Sequence, residues 1–325
     1  MKTSTLRRRF MPVAAVLSLS LALSACGNTD EGGNPTAGSG DGGDELTGEV
    51  VIDGSSTVEP LSSAAAELFQ AEHPGVQVTV GTSGTGGGFE KFCRGETDIS
   101  NASRVIGEDE IATCGENGIE FAELGVANDG LSVVVNPEND WADCLTVEEL
   151  NAIWDEGSTL DNWSQVRDGF PDVPLELFGA GTDSGTFDYF TDAINGEEGR
   201  SRSDYGASED DNITVQGVEG SAGGMGYFGY SYVEENEGRV VPLAIDGGDG
   251  CVDPSAETVQ DGSYTPLGRE IFIYPKAEAL ERPEVQAFVD FYIENQAEIA
   301  EAALFIPLTD EQVSEVQAKV EELQG

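Results

Sequence analysis

The sequence predicts an α/β protein with mainly parallel sheets, arranged as two domains. Short β-branched runs alternate with amphipathic segments along most of the chain, the pattern left by repeated βα units. The 325 residues are 38% hydrophobic, enough material for two cores. Beyond residue 25 no apolar run is long enough to cross a bilayer.

Taken in order, Val50-Val51-Ile52 reads as the first strand and residues 59–70 as the first helix, with Leu61, Ala65, Leu68 and Phe69 facing inward. Residues 77–80 form the next strand. Residues 87–94 form the next helix, with Phe89, Phe92 and Cys93 inward. Residues 131–135 are a strongly apolar strand, and Phe187, Phe190 and Ile194 mark one face of a later helix. Late strands are expected at residues 213–215, 240–243 and 271–273. Pro283 then opens a long helix with Val285, Phe288, Val289 and Tyr292 on one side, and Thr309 with Gln312 makes a capping box for the last helix.

The flanking segments carry different information. Lys2, Arg7, Arg8 and Arg9 precede an apolar stretch over residues 13–23, as in a secretory signal. Leu23-Ser24-Ala25-Cys26-Gly27 then resembles a bacterial lipobox, which implies cleavage after residue 25 and acylation of Cys26. Residues 26–46 are polar and glycine-rich, a flexible acidic tether with a root-mean-square reach of about 25 Å. Against 15 Lys and Arg stand 62 Asp and Glu, a formal charge of −47. Such a surface repels nucleic acid and anionic lipid and acts as a hydrated, solubilising coat. Of five cysteines, Cys93, Cys114, Cys144 and Cys251 remain beyond Cys26, and in an oxidising compartment four cysteines suggest two disulfides. Their wide spacing without a C-x-x-C argues against zinc, and no cofactor is expected.

Three segments share one design, in which a strand leads through small hydroxyl and glycine residues into a helix. They are residues 51–57, ending Asp53-Gly54-Ser55-Ser56-Thr57; residues 80–88, containing Gly84-Thr85-Gly86-Gly87-Gly88; and residues 178–186, ending Asp183-Ser184-Gly185-Thr186. A helix N-terminus presents unpaired N–H groups and partial positive charge, glycine lets an anion approach the backbone, and Ser or Thr adds neutral donors. One such segment reads as ordinary helix capping. Three of them together with Ala102-Ser103-Arg104 point to convergence on one small oxyanion.

These motifs, with Asp98-Ile99-Ser100-Asn101-Ala102-Ser103-Arg104 and Met225-Gly226-Tyr227-Phe228-Gly229-Tyr230, occur in the order seen in phosphate-specific substrate-binding proteins of ABC importers. The resemblance covers residues 49 to about 310. It implies a type II periplasmic-binding fold: two α/β domains joined by a hinge, with the ligand in the cleft between them. Domain I would hold residues 47–127 and 262–325, and domain II residues 128–261. That assignment places Cys93 with Cys114 and Cys144 with Cys251, each pair inside one domain.

The resemblance also implies that Ser56, Thr57, Thr85, Ser184, Gly185 and Thr186 supply hydroxyl and backbone donors to phosphate. Two positions depart from the pattern. Ser103 stands where the family's best-known members carry the aspartate that accepts the ligand's proton, and Ala180 stands where they carry an arginine. Arg104 is the expected replacement cation. Asp129, just before the apolar strand, is the first candidate for the proton acceptor, and Asp183 the second. The implied partners are inorganic phosphate, a permease pair and its ATPase, and the membrane through a lipid anchor at its outer face, with the binding protein itself a monomer. Sulfate or molybdate as ligand, a surface lipoprotein hydrolase built on Ser184, and a macromolecule-binding lipoprotein are the competing readings. The hydrolase reading suffers because His73 is the only histidine and adjoins Pro74 at a helix end.

Overall fold

The computed structural model describes residues 46–182 and 184–324. The expected leader, the expected lipidation at Cys26 and the candidate Asp183 lie outside the described residues.

The chain begins β1 (Gly48–Gly54), α1 (Glu59–Glu72), β2 (Val76–Thr82), α2 (Gly84–Cys93), β3 (Ile99–Ala102) and α3 (Glu108–Glu116). It continues through the long β4 (Leu124–Val135), then β5 (Cys144–Thr146), α4 (Val147–Trp154), β6 (Glu176–Ala180), α5 (Gly185–Asn195), β7 (Gly206–Ser208) and α6 (Asp211–Gly220). Next come β8 (Gly224–Gly229), α7 (Tyr230–Glu235), β9 (Val241–Pro242), β10 (Ala244–Asp246), β11 (Cys251–Val252) and α8 (Ala256–Gln260). Last are β12 (Gly268–Pro275), α9 (Ala277–Leu280), α10 (Pro283–Glu294), α11 (Gln296–Ala302) and α12 (Asp310–Gln324).

The main sheet has the order β2-β1-β3-β12-β4-β8-β6-β7, with β9 also on β4. Two parallel blocks, β2-β1-β3 and β8-β6-β7, are thus joined through β12 and β4, which run antiparallel to each other and to the strands they adjoin. Every residue of β4 is buried, which explains why Leu131, Val133, Val134 and Val135 run on with no polar alternation beyond the small Ser132: a strand covered on both faces has no polar side to alternate with. One core packs around Val50, Ile52, Leu61, Phe69, Ile273 and Phe288 on the first block. Another packs around Leu131, Trp154, Trp163, Phe190, Tyr227 and Ile245 on the second, with the Phe190 and Tyr227 rings stacked 3.8 Å apart.

Three local expectations need correction. Residues 213–215 lie in helix α6, not in a strand: Asp210 caps it by accepting the Asn212 N–H at 3.0 Å, and Thr214, Val215 and Val218 form the buried stripe while Ile213 is exposed. The three β-type residues are too few to outweigh that 3.6-residue period. The strand expected over residues 240–243 shortens to Val241–Pro242, since proline cannot donate to a ladder. Helix α2 starts at Gly84, so the glycine run lies inside the helix. Of that run Gly88 is required by close approach, because a methyl group built on it would sit 2.5 Å from the Gly54 Cα.

Disulfides link Cys93 on α2 to Cys114 on α3 and Cys144 on β5 to Cys251 on β11, at sequence separations of 21 and 107. The longer closed loop restrains the unfolded chain more, so converting Cys144 and Cys251 to serine is expected to cost about 5 kcal/mol, against about 3 kcal/mol for the other pair. Guanidinium titrations of both double variants check this, and a larger loss from the Cys93/Cys114 pair would contradict it.

Candidate binding site

The turn between β1 and α1 is built by close approach. Gly54 has φ 145°, and a Cβ there would lie 2.1 Å from the Asn101 carbonyl oxygen, so only glycine lets β1 and β3 lie this close. The Ser55 N–H donates to that same carbonyl at 3.0 Å, and the Thr57 N–H donates to Ser55 Oγ at 3.2 Å. Ser56 and Thr57 are thereby presented ahead of α1, whose first turn carries Pro60.

The second cradle is the N-terminus of α2. Asp53 holds it in place, accepting from Ser83 Oγ at 2.5 Å and Lys91 Nζ at 2.6 Å. Burial pushes the Asp53 carboxyl up, but those donors outweigh it and leave the carboxyl below its ordinary range. Thr85 Oγ1 lies 2.9 Å from Ser103 Oγ and accepts the Ser103 N–H at 3.3 Å, so two candidate donors predicted from separate segments are neighbours. Arg104 follows, with its guanidinium 5.6 Å from the Phe89 ring centroid. Each Nη donates to one Glu110 oxygen at 2.8 Å, a forked ion pair at a half-exposed position.

Sequence reasoning missed the more deeply placed cation. Arg269, on β12, pairs in register with Asp129 on β4, and its Nε and Nη2 donate to Asp129 Oδ2 at 3.2 and 3.1 Å. Its Nη2 also donates to Thr57 Oγ1 at 3.4 Å, and its Cζ lies 3.3 Å from the Tyr189 ring centroid. Asp129 is 7% exposed; burial pushes its carboxyl above the ordinary range, with Arg269 opposing. The signal available in the sequence was scarcity: among so few basic residues, one sits at the head of an apolar strand.

The third cradle starts α5. Ser184 is the N-cap, its Oγ accepting the Thr186 N–H at 3.2 Å. Gly185 packs directly on the first cradle, since a Cβ there would fall 2.8 Å from Thr57 Oγ1 and 3.1 Å from the Thr57 N and Cα. The N-terminal ends of α1 and α5 therefore meet. A cavity of about 220 Å³ beside this contact is lined by Ser56, Thr57, Asp129, Ser184, Gly185 and Thr186, among others. A second, of about 300 Å³, is lined by Ser56, Thr57, Thr85, Ser103, Arg104 and Arg269, and by Asp188. The two share Ser56 and Thr57; Asp129, Ser184, Gly185 and Thr186 border the first, and Thr85, Ser103 and Arg104 border the second. Neutral hydroxyl and amide donors with two guanidinium groups suit a small, multiply charged oxyanion.

Residues 31–296 match the PBP superfamily domain. Protein SphX of Synechococcus elongatus is 48% identical over 262 residues, covering 80% of this chain and 77% of its own. The phosphate-binding protein PstS of Staphylococcus saprophyticus is 36% identical over 311 residues, covering 95% and 93%. A crystal structure described as a possible phosphate-binding protein from Planctomyces limnophilus superposes with a TM-score of 0.83 at 47% identity, over 86% of this chain and all of that one. With its mixed α/β sheet, this chain belongs to the PBP superfamily, within the phosphate-binding substrate-binding proteins of the PstS and SphX type.

Proposed function

We propose that this protein captures inorganic phosphate and hands it to an ABC importer, held at the outer face of the cytoplasmic membrane by an acylated Cys26. The observation that carries the ligand assignment is the meeting of the α1 and α5 N-termini at Thr57 and Gly185, with Thr85, Ser103, Arg104 and Arg269 around the adjoining cavity. Ser56, Thr57, Thr85, Ser103, Ser184, Gly185 and Thr186 donate neutral hydrogen bonds. Arg269 and Arg104 supply charge, and Asp129 keeps Arg269 aimed. Within each domain these groups are positioned before the ligand arrives, so little local reorganisation opposes binding, and at contact distance they outweigh distant carboxylates that water and salt screen.

In this reading residues 47–127 with 262–325 and residues 128–261 are two domains that close by a hinge at β4 and β12. The protein acts as a monomer and performs no reaction. Ser184 is engaged as a helix cap, and His73, the only histidine, packs on Phe69 at the far end of the 14-residue α1, about 20 Å from Thr57. Calorimetric titration with phosphate, sulfate and molybdate tests the proposal. One tight phosphate site is expected, with the other two anions weaker by at least about tenfold, a gap of about 1.4 kcal/mol. Protein that releases no heat with phosphate and gains no thermal stability from it would refute the assignment.

A further inference from the structure

We propose that Tyr189 is a positioning residue whose ring closes over the Arg269 guanidinium, so that it governs how fast phosphate leaves rather than how fast it enters. This rests on the phosphate reading above and names a contact that retains the ligand.

Tyr189 lies one turn after Gly185 on α5, and residues four apart share one face of a helix. That face carries Gly185 against Thr57 and, one turn on, the Tyr189 ring over Arg269. The ring centroid is 3.3 Å from Arg269 Cζ, and the phenol donates to the Pro266 carbonyl at 2.8 Å. Tyr189 is 6% exposed, and burial pushes its hydroxyl above the ordinary range, so the phenol stays a donor. With that hydroxyl committed to Pro266, the side chain acts on a ligand through Arg269.

Arg269 is held by three groups. Asp129 Oδ2 accepts from Nε and Nη2, Thr57 Oγ1 accepts from Nη2, and Tyr189 lies against the guanidinium plane. Among the described residues nothing accepts from Nη1, and Arg269 borders the cavity of about 300 Å³ with Thr85 and Ser103. Nη1 carries two N–H groups, so these are the donors left for an anion.

The two restraints on Arg269 differ in when they act. Asp129 pairs with it in register across β4 and β12, at the proposed hinge, so that bond survives opening. Tyr189 belongs to the 128–261 domain, whereas Arg269 and Pro266 belong to the 262–325 part of the other, so opening lifts the ring away. Phosphate therefore meets an Arg269 that is aimed but wet on one side, and closure replaces that water with the ring. A cation–π contact strengthens on desolvation, and a charge shielded from water holds an anion more firmly. Capture precedes closure, so losing the ring leaves the association rate nearly unchanged and appears in the dissociation rate.

The test uses wild type, Tyr189→Leu, Tyr189→Phe, Arg269→Ala and the Tyr189→Leu, Arg269→Ala double variant, each shown folded by its melting curve. Calorimetry with phosphate gives affinity, and loss of bound radiolabelled phosphate into excess unlabelled phosphate gives the dissociation rate. Tyr189→Leu is expected to release phosphate about tenfold faster and to bind it about tenfold more weakly, with the association rate within about twofold of wild type. Tyr189→Phe keeps the ring and loses the bond to Pro266, so it should recover most of the slow release while melting at a lower temperature. Without Arg269 there is no cation to cover, so Tyr189→Leu should then change affinity by less than about twofold. Tyr189→Met, also ringless, repeats the comparison should Tyr189→Leu not fold. Wild-type release from the ringless variant would overturn the inference, as would equal losses in Tyr189→Phe and Tyr189→Leu, or a tenfold effect that persists without Arg269. Wild type that binds no phosphate would overturn the phosphate reading itself and this inference with it.

Discussion

Arg269→Ala is expected to weaken phosphate binding by at least about thirtyfold, or about 2 kcal/mol, the scale of a lost charge-assisted hydrogen bond. The same change should also destabilise the fold by about 3–5 kcal/mol, because it strands Asp129 as an uncompensated buried carboxylate. Those two losses have separate origins and can be pulled apart. In the Asp129→Ala, Arg269→Ala double variant the stranded charge is gone, so stability should return most of the way while affinity stays low. Arg269→Lys should keep part of both, since an ammonium replaces the charge but not the two N–H groups that Asp129 Oδ2 accepts. Arg104→Ala provides the contrast: its guanidinium is about half exposed and already forked onto Glu110, so its loss should cost stability less than about 1 kcal/mol and affinity less than Arg269 does. Urea titration and calorimetry on the four variants check the set. Unchanged affinity in Arg269→Ala beside a collapse in Arg104→Ala would reverse the assignment of the cation.

Arg269 also shows where reading the sequence reaches its limit. The three cradles were legible because their signals are local: a strand, a few small hydroxyl residues, and a helix within ten residues or so. Asp129 was legible as a polar residue set against a long apolar strand. Its partner lies 140 positions away, on a strand whose antiparallel register with β4 no local pattern encodes. The expectation of mainly parallel sheets failed to include β4 and β12 for the same reason: βα alternation describes each parallel block and says nothing of how two blocks are joined. Asp188 escaped notice because it sits on a helix whose apolar face, Phe187, Phe190 and Ile194, already accounted for the segment. Only the packing of α5 against α1 turns its polar edge into a cavity wall. The glycines of Gly84 to Gly88 misled in the other direction, since low helix propensity marks a loop, yet α2 forms over them and at Gly88 close approach to Gly54 requires the missing side chain.

Gly185→Ala is expected to weaken phosphate binding by about tenfold and Gly185→Val by more than about a hundredfold, the range that overpacking a tight contact reaches. Thr57 Oγ1, 2.8 Å from the added methyl, can rotate away, but the Thr57 N and Cα at 3.1 Å are backbone and cannot yield without moving α1. The two helix N-termini must then part, and donors from α1 and α5 no longer reach one anion together. Nothing comparable happens to folding. Gly185 is the first residue of α5 and is not held in the left-handed region, so alanine suits the helix better by up to about 1 kcal/mol. The expected signature is therefore lower affinity at equal or higher melting temperature, the reverse of what Arg269→Ala should show. Gly220, the last residue of α6, is the control: a methyl there meets open space, so Gly220→Ala should leave binding untouched. If Gly185→Ala bound phosphate as wild type does, the α1–α5 contact would not belong to the ligand-bound geometry, and the two cradles would have to act at a greater separation than this structure has.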